Sequence, residues 1–207
     1  MSGRGLGHTG GTVDKLESVR GYNSSLSPDE FLSQAERIGI ALVGQSGNLV
    51  PADKKIYALR DVTATVDSIP LIASSIMSKK LASGAHSIVL DVKYGSGAFM
   101  KDPESAKKLA SEMVSIGKSE GRRVSAFITD MDTPLGRTVG NSIEVLEGIS
   151  VLRGEGPDDL RSLVIALSGE MISLALGMSR EEGRKKAEEM ISSRKAYGKF
   201  CEWMRAQ

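Results

Sequence analysis

Residues 86–128 constrain the fold more than any other part of this chain. His86-Ser-Ile-Val-Leu-Asp-Val is a continuous apolar run of strand length, the pattern of a strand covered on both faces and therefore of a parallel sheet. The glycine-rich turn Tyr94-Gly-Ser-Gly-Ala-Phe-Met stands at its carboxyl end. Asp102-Pro-Glu-Ser then caps a helix running to about Ser119, with Ala106, Leu109, Ala110, Met113, Val114 and Ile116 in or beside its apolar stripe. Arg123 to Ile128 reads as the next strand. Ligands in parallel-sheet proteins gather at the carboxyl ends of such strands.

The remaining elements follow the same alternation. Ser27 caps a helix over 28–37, Ile38 to Val43 reads as a short strand, and Ala52 to Leu59 as a helix after Pro51. Three helices are predicted over 157–177, 179–192 and 196–205, with runs such as Arg180-Glu-Glu-Gly-Arg-Lys-Lys taken as solvated surface. With 207 residues, 40% of them hydrophobic, the chain can bury a sizeable core as one large domain or a domain and a half. A net charge of +1 gives no support for a nucleic-acid or membrane surface, and no apolar run approaches the ~20 residues of a spanning helix. One cysteine, Cys201, excludes an internal disulfide, and His8 and His86 form no soft-metal pattern. A cytoplasmic protein is the expectation.

Three stretches carry candidate chemistry. Between Arg60 and Lys80 lies a helix with Pro70 in its first turn and Gly84 closing it. On it Ser75 and Lys79 are one turn and about 40° apart, flanked by Ile72 and Ile76, while Ala73, Met77 and Leu81 point the other way. Such a face suits a flat, carbonyl-bearing heterocycle, with Arg60 as a third donor; the same pattern also describes an amphipathic helix with solvated Ser and Lys. Ser2 to Thr12 holds five glycines in eleven residues and suits an anion such as phosphate, with Thr12 capping a short helix from Val13. Gly5 to Gly10 also matches the dinucleotide fingerprint G-x-G-x-x-G, without the preceding strand and the long helix that give it meaning. In the loop 129–141, Asp130 and Asp132 suggest either a divalent metal or, more simply, turn residues, and Asn141 is expected to cap the next helix.

Taken together, Ser2-Gly-Arg-Gly-Leu-Gly-His-Thr-Gly-Gly-Thr-Val-Asp-Lys-Leu-Glu17, Arg60-Asp-Val-Thr-Ala-Thr-Val-Asp-Ser-Ile-Pro-Leu-Ile-Ala-Ser-Ser-Ile-Met-Ser-Lys-Lys80 and Leu90-Asp-Val-Lys-Tyr-Gly-Ser-Gly-Ala-Phe-Met100 resemble the thymidine and pyrimidine-nucleoside phosphorylase family. The resemblance runs from residue 2 to about 150 and more weakly beyond. It implies an α/β fold: a partial parallel-sheet lobe at 1–51 and 83–207, and a segment of a small all-α lobe at 52–82. It implies phosphorolysis of pyrimidine nucleosides to free base and pentose 1-phosphate, with inorganic phosphate as co-substrate and no cofactor for the chemistry, by a homodimer with no nucleic-acid or membrane partner.

Carried over residue by residue, the resemblance makes Arg60, Ser75 and Lys79 the base-binding trio. Leu6, Val66, Ile72 and Phe99 would line the pocket, and Met1, Ser2 and Thr12 would bind phosphate. Leu135, Thr138 and Glu147 would match part of a site for a monovalent cation such as potassium, structural in role. The trio reads ring carbonyls rather than C5 or the sugar 2′ position. Members of the family are about twice as long, with most of the α lobe and a Lys-His-Ser-Thr-Gly-Gly phosphate loop ahead of the part matched here, so an internal fragment with little activity of its own is expected. A non-catalytic remnant and a dinucleotide-dependent oxidoreductase are the two other readings.

Overall fold

A computed structural model describes residues 2–5, 10–44, 50–65 and 67–207, with the side chains of all of these but Lys54, Tyr57, Asp61 and Val62. The chain forms two compact units, one from residues 1–46, 136–163 and 188–207, the other from residues 47–135 and 164–187.

The second unit is built on the expected strand-helix-strand. Strand β1 (Ser87–Tyr94) pairs in parallel with β2 (Arg123–Asp130), Ser87 opposite Arg123 and Tyr94 opposite Asp130. Helix α5 (Pro103–Ser119) connects them; its N-cap is Asp102, whose carboxylate accepts the Ser105 N–H at 2.8 Å. Ahead of β1 lie α3 (Pro51–Val62) and α4 (Ile69–Ala82), each with a proline in its first turn. Ala73 and Met77 of α4 are fully buried against Ile88, Leu90, Val92, Ala106, Leu109 and Met113, so the core of this unit lies between α4, α5 and β1. Gly117 permits that packing, since a Cβ there would run into Val124 Cγ2 and come within 3.1 Å of Met77 Cε. Helix α7 (Asp158–Leu176) and helix α8 (Arg180–Ser192) each contribute part of their length to this unit, where the buried Glu170 carboxylate meets Arg180 at 2.9 Å.

The first unit holds α1 (Thr12–Glu17), α2 (Pro28–Ile38), α6 (Asn141–Arg153) and α9 (Lys195–Ala206). Ser27 caps α2 as expected, reciprocated by Glu30. Leu16, Ile38 and Trp203 form a small core, with Tyr22 and Phe200 edge-on to the indole at 6.0 and 6.1 Å. Tyr22's hydroxyl is pushed up to about 12 by burial.

The strand expected over 38–43 does not form. Ile38 completes α2, Gly39 turns left-handed at φ +77, and the polar groups of Leu42 are answered by a side chain. Gln207 Oε1 accepts from Leu42 N at 3.2 Å and from Trp203 Nε1 at 2.7 Å, while its amide donates to Leu42 O and to Asn23 O. The caps of two helices also differ. Gly140, not Asn141, precedes α6, and its N–H is met by Glu144 at 3.0 Å. Gly11, not Thr12, precedes α1. No single helix among the described residues is long and apolar enough to cross a membrane.

Candidate functional site

Of the trio expected to hold a base, Arg60 of α3 and Ser75 of α4 line one cavity within one unit, and Lys79 is bonded to Ser75. Ser75 and Arg60 are buried, at 6 and 5% exposure. Arg60 stands in the last turn of α3 and is fixed by the turn that follows: its carbonyl accepts the Thr65 N–H at 3.3 Å and its Nε donates to Thr65 O at 3.3 Å. That turn is tight enough to hold Ala64 at φ +54, a conformation alanine adopts only under constraint. Lys79 Nζ donates to Ser75 Oγ at 2.8 Å, to Ser75 O at 2.9 Å and to Asp53 Oδ2 at 2.6 Å.

A cavity of about 230 Å³ opens on this group, lined by Ala52, Asp53, Ile56, Arg60, Leu71 and the serines 74, 75 and 78. That volume is below the roughly 300–1,000 Å³ of pockets for whole drug-sized ligands and is in keeping with a single ring. Its apolar wall is Ala52, Ile56 and Leu71. Ile72, expected in that wall, packs instead against the core cluster, about 60° around the helix from Ser75. Phe99 is 67% exposed in the turn after β1, between the buried Ala98 and Met100. Val66 and Leu6 lie outside the described residues, as does Met1.

Asp53 is the member of this group that the sequence reading missed. A signal for it exists: 53 and 60 are seven residues apart on a helix, so Asp53 and Arg60 share one face of α3 within about 20°.

In the first unit, the glycine segment folds back on itself. A Cβ at Gly11 would come within 2.6 Å of Arg4 Cα, so only glycine lets the two backbones touch. The amides expected to face an anion are met from within. Asp14 Oδ2 accepts the N–H of Gly5 at 2.6 Å and of Gly11 at 2.9 Å, which hold its carboxyl below the usual range, the Gly5 contact foremost. Arg4 forks onto Glu17 at 2.6 and 2.7 Å and reaches Asp14 at 3.0 Å. Thr12 is the first residue of α1. Ser2 bridges to Gly44, its N–H donating to Val43 O at 2.9 Å.

Glu147 and Thr138 also come together in this unit. The Glu147 carboxylate accepts the Arg137 N–H at 2.9 Å and the Thr138 hydroxyl at 3.1 Å, beside an open groove of about 530 Å³. Leu135 falls in the other unit and is 42% exposed. Asp130 and Asp132 act as turn residues: Asp130 accepts the Asp132 N–H at 2.8 Å, and Asp132 accepts that of Ser96 at 2.7 Å. Among the described residues no group of three His, Cys, Asp or Glu side chains is placed to hold a metal ion.

Residues 1–197 match the family described as "Glycosyl transferase family, a/b domain". Pyrimidine-nucleoside phosphorylases of Bacillus subtilis (strain 168), Geobacillus stearothermophilus and Staphylococcus haemolyticus are 56, 57 and 55% identical to the chain over 208 residues. Those alignments take in 100% of this chain and 48% of each relative, so the chain spans about half the length of the curated relatives it matches.

Proposed function

The chain belongs to the glycosyl transferase family, a/b domain, and from that premise we propose that it carries the base-binding part of an enzyme that splits pyrimidine nucleosides with inorganic phosphate. The observation that carries this reading is that the buried Arg60 and Ser75 line one ring-sized cavity, with the Lys79 ammonium bonded to the Ser75 hydroxyl. As the glycosidic bond breaks, negative charge spreads onto the carbonyl oxygens of the pyrimidine and positive charge onto the sugar. Cationic and hydroxyl donors at those oxygens stabilise the leaving base more than the intact nucleoside, which lowers the barrier. Phosphate attacks the anomeric carbon, and the products are the free base and a pentose 1-phosphate.

Ser2 and Thr12, with Met1, are assigned to phosphate; Phe99, Leu6, Val66 and Ile72 to the surroundings of the nucleoside. Thr138 and Glu147, with Leu135, are assigned to a structural monovalent cation such as potassium. The support for the cation is chemical: an all-oxygen donor set suits a hard ion, and a carboxylate with two N–H or O–H partners keeps lone pairs for one. The 52–82 segment is assigned to the family's small helical lobe, and the enzyme as a whole to a cytoplasmic homodimer. The dinucleotide reading draws no support from the family match, and α1, at six residues, is far shorter than a dinucleotide-binding helix.

The test is an exchange. Replace the matching stretch of the Bacillus subtilis relative by this chain and assay uridine and thymidine with and without phosphate. Phosphate-dependent release of uracil or thymine is expected. A folded chimera that releases neither base, while the unaltered relative does, refutes the assignment.

A further inference from the structure

We infer that Asp53 is a positioning residue of the base site, which holds the Lys79 ammonium against Ser75 and so turns the Ser75 hydroxyl proton toward the base. The inference rests on the function proposed above and deepens it.

An ammonium group has three N–H donors and no acceptor. Lys79 Nζ donates to Asp53 Oδ2 at 2.6 Å, to Ser75 Oγ at 2.8 Å and to Ser75 O at 2.9 Å. Asp53 and Lys79 are partly withdrawn from water, at 12 and 29% side-chain exposure, and Asp53 lines the cavity together with Ser75, to which Lys79 is bonded. The pair therefore does more than a solvated surface ion pair, where water would compete for both partners.

Two consequences follow. The Ser75 oxygen, already accepting from a cation, directs its own O–H away from Lys79, and Ser75 lines the cavity. Its hydroxyl is thereby a polarised donor for a ring carbonyl, with the lysine charge behind it. A base carbonyl that takes an N–H from Lys79 directly does so by displacing one of the acceptors now in place. In both arrangements Asp53, on the neighbouring helix, sets where the charge stands: it keeps the ammonium at the α3 side of Ser75 instead of letting it swing into solvent. No covalent step is involved, and no proton changes owner.

The experiment is a double-mutant cycle in the active chimera described above, with Asp53→Asn, Lys79→Ala and the two combined. If Asp53 acts through Lys79, Asp53→Asn lowers kcat/KM by roughly 10- to 100-fold, the scale of one hydrogen bond to a charged group. The loss should fall more on kcat than on KM, because the placed charge counts most as the base leaves. In the Lys79→Ala background the same change should cost less than threefold. Asp53→Glu, which keeps the carboxylate, should recover at least part of the activity and covers the case in which Asp53→Asn does not fold. Equal losses in the two backgrounds, or a loss tracking thermal stability and not restored by Glu, overturn the positioning role while leaving the function intact. A folded chimera without base release removes the function and the positioning role with it.

Discussion

The carboxylate of Glu147 fills the space that a side chain at Gly136 would need. A Cβ at Gly136 would lie 2.9 Å from Glu147 Cδ, and the carboxylate cannot easily retreat, since it holds the Arg137 N–H and the Thr138 hydroxyl. Gly136 also sits at φ +75 and donates its N–H to Asp159 at 3.0 Å. Gly136→Ala is therefore expected to cost about 1–3 kcal/mol, from left-handed backbone strain plus the displaced carboxylate. Gly136→Asn should cost less on the backbone count, because asparagine tolerates that conformation. Thermal unfolding of the chain measures both; an alanine variant as stable as the parent would mean that the loop 136–138 is not held as described.

For the proposed chemistry, Lys79→Ala in the active chimera is expected to lower kcat/KM by roughly two to four orders of magnitude, the range for removing a charged donor from a developing anion. The release of base is followed by its ultraviolet change. A loss under tenfold would place Lys79 on a solvated face, and the Ser75 contact would then be local helix chemistry only.

How far these features were legible follows from the distance over which each is determined. Helix α5, its Asp102 cap and the parallel pair around it could be read from local pattern, since caps and periodicity act within a turn or a strand. The same holds for α4, where Ala73 and Met77 were expected inside and Ser75 and Lys79 on another face. The run 38–43 misled because its apolar residues fit a strand, whereas Gly39 and a side chain 165 residues away decide its fate. Thr12 and Asn141 were misplaced as caps by one position each, because in both turns a glycine precedes and a carboxylate three or four residues on supplies the bond. Asp53 was missed because its partner is on another helix, although its spacing from Arg60 put it on the right face. The roles given to the trio came from family resemblance; periodicity alone left it open between a site and a solvated face.

Acid should loosen the glycine segment. Asp14 is held below the usual carboxylate range, chiefly by the Gly5 N–H and then that of Gly11, and Glu17 likewise, chiefly by the Arg4 guanidinium and then the Ser24 hydroxyl. Each group has a lower pKa folded than unfolded, so the folded state binds fewer protons; the stabilisation is complete above the unfolded value, about 4, and is lost as pH falls through the folded one. Denaturant unfolding at pH 7, 5 and 3 should show stability dropping on the acid side. Other carboxylates share that slope, so the variant comparison decides: Asp14→Asn should be less stable at pH 7 and lose less on acidification than the parent. An unchanged acid slope would count against the amide contacts of Asp14.

The last expectation concerns the far side of the helix that carries the base donors. Met77 is fully buried, packs where Gly117 leaves room on α5, and lies about 160° around α4 from both Ser75 and Lys79. Truncation to alanine removes contacts on all sides and leaves a cavity that the backbone of a helix cannot close, for a cost of about 2–5 kcal/mol. Met77→Leu, close in volume, should cost less than about 1.5 kcal/mol. Because α4 is pressed onto α5 by this residue and Ala73, loss of the seat should also let Lys79 drift from Asp53. In the active chimera, Met77→Ala should thus lower kcat at temperatures where the protein is still folded, while Met77→Leu stays near the parent. Equal activity of all three below their unfolding temperatures would show that the donor face of α4 is held by α3 alone.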